Sequence, residues 1–246
     1  MRKYISTLLA GALLATQTSA GAFSVRITPI GVEMLASERA QSVTIANVDT
    51  EANSLQVRIF KWTQVDGEDH LEPTNDMAVS PPFLTVPAGK SYTVRVVRTA
   101  MHPIASEASY RLFIDEIPKP IDPRLPQQGV RMVLRTSMPV FIVDKTAMAS
   151  LVWRVWQDKD GIHAEARNSG RRHAKIGGLT LHRASGGDIR ISDGLAGYVL
   201  AGSVKRFDLK PTGSATLPQL MAGEHIMVTA KSDALDIQSA AVVESR

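Results

Sequence analysis

Val130-Arg131-Met132-Val133-Leu134-Arg135-Thr136-Ser137-Met138-Pro139-Val140-Phe141-Ile142-Val143 is the stretch that decides the fold. Val130, Met132, Leu134, Thr136, Met138 and Val140 share one face of it, with Arg131, Arg135 and Ser137 on the other. Period two identifies a β-strand, and 14 residues is more than twice the usual strand length. Just upstream, Ile117-Pro118-Lys119-Pro120-Ile121-Asp122-Pro123-Arg124-Leu125-Pro126 cannot pair into a sheet, because proline has no amide hydrogen to give. A long apolar strand therefore stands beside a loop unable to cover it. Taken alone, the apolar face is equally suited to the core of a sandwich.

The rest of the chain agrees with an all-β fold. Short alternating runs are separated by turn residues, the pattern of sandwiches and barrels. Before Val130 these runs are Phe23–Ile30, Gln41–Asn47, Ser54–Thr63, Pro82–Val86, Ser91–Val97 and Ser109–Glu116. With Val130–Val143 they make the seven strands that an immunoglobulin-like sandwich needs. Eleven of the thirteen prolines lie between Pro29 and Pro139, whereas eleven of the seventeen glycines lie between Gly161 and Gly223. Such a change of turn chemistry marks two separately built domains, joined near Asp144–Ala149. Strands of the second are expected at Leu151–Trp156, Ile162–Asn168, Lys175–His182, Asp188–Ile191, Tyr198–Leu200, Lys205–Leu209, Glu224–Lys231 and Ile237–Val243. Trp153 and Trp156, three apart, face opposite sides of the first of these, one into the core and the other to an interdomain or rim contact. Asp158-Lys159-Asp160-Gly161 reads as a hairpin turn.

The N-terminus has the form of an export signal. Arg2 and Lys3 precede an apolar stretch with Leu8, Leu9, Leu13 and Leu14, ending in small residues at Ala20-Gly21-Ala22. That stretch is shorter than the roughly 20 residues a membrane span requires. Cleavage after Ala20 or Ala22 is expected; the second leaves 246 − 22 = 224 residues, enough for two domains. The expected organisation is a leader at 1–22, a first domain at 23–145 and a second at 146–246. Without cysteine there is no disulfide framework or thiolate chemistry. The net charge of +4 falls to +2 without Arg2 and Lys3, too little to argue for nucleic acid.

Enzyme signatures are sparse. Gly89-Lys90-Ser91 imitates the end of a phosphate-binding loop, but Leu84 stands where the first glycine belongs. The Asp158–Gly161 segment lacks the later ligands of a calcium loop. The histidines (His70, His102, His163, His173, His182, His225) form no H-x-x-x-H pair with a glutamate between, and no G-x-S-x-G nucleophile turn exists. Arg171-Arg172-His173 reads as a solvated loop. No catalytic residue, cofactor or metal is indicated.

Three ordered stretches carry a family likeness: Ser42-Val43-Thr44-Ile45-Ala46-Asn47; Pro81-Pro82-Phe83 followed by Val86-Pro87-Ala88-Gly89-Lys90-Ser91 and Val94-Arg95-Val96; and Tyr110-Arg111-Leu112-Phe113-Ile114-Asp115-Glu116-Ile117-Pro118. With the leader and the two-sandwich pattern, the chain resembles the PapD-like periplasmic pilus chaperones, in a divergent branch of the chaperone/usher family. The second half matches loosely, through Trp153, Gly161 and Asn168. The resemblance implies two immunoglobulin-like sandwiches in an L- or boomerang-shaped arrangement and no enzymatic activity. It implies a periplasmic protein that stabilises pilus subunits by donating a strand and delivers them to an outer-membrane usher. Val130, Met132, Leu134 and Thr136 would be the donated residues.

In this family an arginine near the first strand and a lysine on the last strand hold the subunit's terminal carboxylate. Those places fall here among Thr28-Pro29-Ile30-Gly31 and near Ser137 to Pro139, which hold no basic residue. Arg95, then Arg98, Arg135 and Arg26, are the substitute candidates; the alternative for Arg95 is an ion pair with Glu107. Partners implied are pilus subunits, the usher and, when free, a second copy capping the exposed strand, since an unpaired apolar edge invites association. Neither nucleic acid nor membrane insertion after leader removal is expected. Two other readings compete: a structural pilus subunit or adhesin, and a periplasmic β-sandwich that binds a small ligand. Polar Ser24 and Arg26 beside the leader speak against the subunit, and no residue cluster speaks for the ligand site.

Overall fold

The computed structural model describes residues 25–101, 103–118, 133–213, 216–233 and 236–245. Among the described residues there is no helix. The first half contains β1 (Val25–Thr28), β2 (Val32–Leu35), β3 (Ala40–Asn47), β4 (Asn53–Val65), β5 (Glu68–Pro73), β6 (Met77–Ser80), β7 (Phe83–Val86), β8 (Ser91–Arg98), β9 (Ala108–Glu116) and β10 (Arg135–Val143). The second contains β11 (Leu151–Asp158), β12 (Gly161–Asn168), β13 (Ala174–Arg183), β14 (Asp188–Arg190), β15 (Leu195–Val199), β16 (Val204–Leu209), β17 (His225–Lys231) and β18 (Ile237–Glu244).

Two sheets make the first sandwich. One runs β1-β3-β8-β6 and the other β2-β10-β9-β4-β5, with β7 beside β4. Between β1 and β2 the chain crosses from one sheet to the other at Pro29-Ile30-Gly31. Alternation aims Val43, Ile45, Val94 and Val96 of the first sheet at Val57, Leu112, Ile114, Met138 and Val140 of the second, forming one buried core. In the second half β18 pairs antiparallel with β17 and then parallel with β11 at Val155 and Trp156. The continuous ladder so formed folds over a core that includes Trp153, Ile162, Ile176, Leu181, Phe207 and Val228. The chain is thus two immunoglobulin-like sandwiches.

A buried asparagine ends the corresponding strand in each half. Asn47 Nδ2 donates to Glu51 O and Val86 O at 2.7 and 2.9 Å. Asn168 Nδ2 donates to Arg172 O and Val199 O at 2.7 and 3.1 Å, while its Oδ1 accepts from the amides of Ser150 and Gly170, both at 3.0 Å. Each amide replaces ladder bonds where the strand leaves its sheet. Asn168→Ala leaves these groups orphaned in a dry site and should cost about 2–4 kcal/mol, read as a lower urea midpoint.

Another polar tie gives the second domain an acid-sensitive element. Arg183 Nε and Ser185 Oγ reach Glu224 Oε1 at 2.8 and 2.7 Å. The Arg183 and Ser185 hydrogen bonds lower the Glu224 pKa from 4.5 to about 2. A depressed carboxylate stabilises the fold fully above its unfolded value and loses that contribution as protons reach the folded form. Stability should therefore fall between pH 4.5 and 2, with a shallower fall in Glu224→Gln, as thermal unfolding at stepped pH would show.

Several local readings need correction. Val32–Leu35, Glu68–Pro73 and Met77–Ser80 are strands in addition to the seven anticipated. The long strand begins, within the described residues, at Arg135; Val130 and Met132 lie outside them. One of the two tryptophans, Trp153, is in the core, but Trp156 on the opposite face is also buried, stacked on His163 with ring centroids 5.1 Å apart. Of Arg171–His173, read as a solvated loop, Arg171 is exposed as expected, but Arg172 is half-buried and His173 buried. Arg172 Nη2 lies 2.8 Å from Glu33 Oε2, and His173 Nδ1 lies 2.7 Å from Glu107 Oε2, with both of the latter side chains buried. The segment joins the two domains because its neighbours across the junction are acids and Phe141, whose ring stacks on His173 at 3.7 Å.

Candidate functional site

β10 is held differently along its length. Val140–Val143 pair on one edge with β2, in parallel, and the strand pairs with β9 from Arg135 to Ile142 on the other. From Arg135 to Pro139, among the described residues, the edge away from β9 has no neighbouring strand. The pairing to β9 continues one residue beyond the strand, where Glu116 N donates to Leu134 O at 2.9 Å. Leu134 and Thr136 extend the inward-facing row of Met138 and Val140, yet are only half-buried. An alternating strand with one open edge and half-covered apolar side chains can accept another strand into its sheet.

The four arginine candidates are not brought together. Arg98 is buried and its guanidinium donates to the carbonyls of Ala36 and Glu38. Arg135, on β10, meets Asp115, which also takes Arg58 Nε at 3.1 Å. Burial alone would raise the Asp115 pKa, but hydrogen bonds from Arg135 and Arg58 outweigh it and hold the carboxyl below its ordinary value. Arg26 and Arg95 lie on the outer face of the other sheet, opposite Ala46 and Ser42. Glu107, considered as a partner for Arg95, is instead taken by His173.

The two places that the resemblance picks out for the family's basic residues are adjacent in space: a Cβ on Gly31 would lie 3.4 Å from Pro139 Cγ. Arg111 on β9 is the register partner of Pro139 and shares its outward face. Its guanidinium lies over the Trp62 ring at 3.7 Å and 5.5 Å from the centre of Tyr198. Among the described residues Arg111 makes no ion pair. Desolvation lowers its pKa, against the opposing pull of Asp69 and Tyr198. Asp69 itself is engaged by Gln64 Nε2 at 2.8 Å and Lys205 Nζ at 3.3 Å. A guanidinium seated over an aromatic face can keep N–H donors available for a carboxylate.

Residues 24–146 match the family described as pili and flagellar-assembly chaperone, PapD N-terminal domain. The chain belongs to this family of pilus assembly chaperones. No curated protein matches it. Among solved structures, this chaperone resembles the CsuC-CsuE chaperone-tip adhesion subunit pre-assembly complex from archaic chaperone-usher Csu pili of Acinetobacter baumannii. The identity is 22%, the TM-score 0.67, and the match covers 91% of this chain and 100% of the other. It also resembles the YadV chaperone, at 14% identity and TM-score 0.60 over 89% and 100% of the two chains. A third likeness is to the Salmonella enterica SafA pilin in complex with the SafB chaperone, at 16% and 0.58 over 89% and 96%. At these identities the likenesses show the fold. The family is one of assembly chaperones, not enzymes.

Arg111 was not among the arginines that sequence reasoning singled out for this chaperone, although it stands inside one of the quoted stretches. The available signal was an arginine between core residues Tyr110 and Leu112, hence on the outer face. What makes it notable is the register of β9 against β10, together with a ring from the second domain.

Proposed function

We propose that this chaperone captures pilus subunits in the periplasm by donor-strand complementation. Val130, Met132, Leu134 and Thr136 enter an incomplete subunit sandwich, and Arg111 holds the subunit's terminal carboxylate. The observation that carries this reading is the open edge of β10 beside half-buried Leu134 and Thr136. Backbone bonds along such an edge supply affinity and alternate side chains supply fit. Arg111 takes the anchoring role in preference to Arg95, Arg98, Arg135 and Arg26 because it lies beside Pro139, is partly desolvated and, among the described residues, makes no ion pair. Residues 1–22 direct export and are removed after Ala20 or Ala22, leaving domains at 23–145 and 146–246. The loaded chaperone then passes its subunit to an outer-membrane usher, and the free form covers its strand by pairing with a second copy.

Co-expression with pilins encoded in the same genome, followed by co-purification from the periplasm, tests the reading. A stoichiometric complex with at least one pilin is expected. Failure with all of them, with the chain folded and exported, would overturn it.

A further inference from the structure

The surroundings of Arg111 come from both domains. Trp62 and Tyr198 meet edge to face, with centroids 5.7 Å apart and planes at 83°. Arg111 occupies the corner between them. Phe141 closes the cluster, with its ring 5.7 Å from Tyr198 and 6.0 Å from Trp62.

Tyr198 is held there by its backbone as well as its ring. Gln64, on the same strand as Trp62, donates from Nε2 to Tyr198 O at 2.7 Å and accepts at Oε1 from Leu200 N at 2.9 Å. One side-chain amide thereby acts as a short strand neighbour, pinning the second domain's backbone to the first. The tip of the β4–β5 hairpin adds a contact nearby: Gly67 O accepts from Arg206 N at 3.3 Å. A Cβ on Gly67 would meet Arg206 Cβ at 3.2 Å. The junction is fixed where Arg111 sits.

We infer that Tyr198 of the second domain is a positioning residue for the Arg111 anchor; this rests on the anchoring role given to Arg111 above. Without the Tyr198 ring, one wall of the corner is gone. Arg111 then gains rotamers and can turn towards Asp69, whose carboxylate already acts on it electrostatically. An arginine that must be reordered on binding, or drawn from another acid, discriminates less between a carboxylate and a neutral group. The domain that does not donate the strand would in this way set the strength of the anchor.

The test uses the full chaperone and peptides copying the C-terminal strands of pilins from the same genome, each made as free acid and as amide. Wild type should bind at least one free acid about tenfold or more tighter than its amide. Tyr198→Leu should lower that ratio about tenfold, whereas Tyr198→Phe, which keeps the ring, should stay within about twofold of wild type. Gln64→Ala should shift the ratio in the same direction as Tyr198→Leu, and it decides the matter by the same ratio if Tyr198→Leu does not fold. A wild-type ratio that survives in Tyr198→Leu overturns this inference alone. If no peptide shows an acid preference in wild type, the anchor itself is wrong and the inference falls with it.

Discussion

Replacing Val130, Met132 and Leu134 together with aspartate is expected to abolish capture of a pilus subunit while leaving the chaperone folded. Three apolar side chains entering a subunit groove contribute roughly 5–9 kcal/mol gross, of the same order as the about 4–15 kcal/mol that association costs. Losing them removes the surplus, and three carboxylates placed in an apolar groove oppose binding further. The fold should survive because the core contribution of this strand comes from Met138, Val140 and Ile142, beyond the substituted part. The measurement is periplasmic co-purification alongside the thermal unfolding of the purified variant. A complex that persists at wild-type yield would refute strand donation by these residues.

Arg111→Ala should have the next largest effect. Truncating one member of a desolvated, hydrogen-bonded charge pair costs about 2–5 kcal/mol, so subunit affinity should fall by about 30-fold or more. Arg111→Lys should recover only part of this, since an ammonium neither stacks on Trp62 as a plane nor binds a carboxylate with two parallel bonds. Arg95→Ala is expected to stay within about twofold of wild type, as its side chain lies on the other sheet's outer face. Titration calorimetry with a captured subunit's C-terminal peptide measures all three. A large loss in Arg95→Ala with none in Arg111→Ala would move the anchor to the other sheet.

The sandwich architecture was legible because it depends on local alternation. Ser42–Asn47, Leu55–Ile59 and Tyr110–Ile114 all place their even or odd residues in the core as the pattern requires. The strand at Glu68–Pro73 was not legible, since Glu-Asp-His-Leu-Glu-Pro shows no apolar alternation and is exposed throughout. It exists because Asp66 and Gly67, with φ of 52° and 83°, turn it back onto β4, the geometry of a tight two-residue hairpin. Met77–Ser80 is too short for its period to register. At the candidate site, the alternation of Leu134 and Thr136 could be read directly. The Arg111 corner could not, because Trp62, Pro139 and Tyr198 are distant in sequence and meet only through strand register and domain contact. The Arg171–His173 cluster shows the same difficulty: its charges suggest solvent until Glu33 and Glu107 are seen opposite them.

Fastening β10 to two neighbours at Val140–Ile142 and, among the described residues, to β9 alone at Arg135–Pro139 has a consequence for which partners can fit. Because inward and outward residues alternate, sliding the strand by one position would exchange Leu134 and Thr136 for Arg135 and Ser137. The doubly bonded end forbids such sliding, so under the strand donation proposed above the phase of the row would be decided before any encounter. An incoming chain must match a comb whose teeth cannot be reset, and one whose own pockets are offset by a single residue meets a guanidinium where it needs a methyl group. If the strand is donated as proposed, selection among partners would operate on spacing, and out-of-phase sequences would be rejected without a separate recognition element.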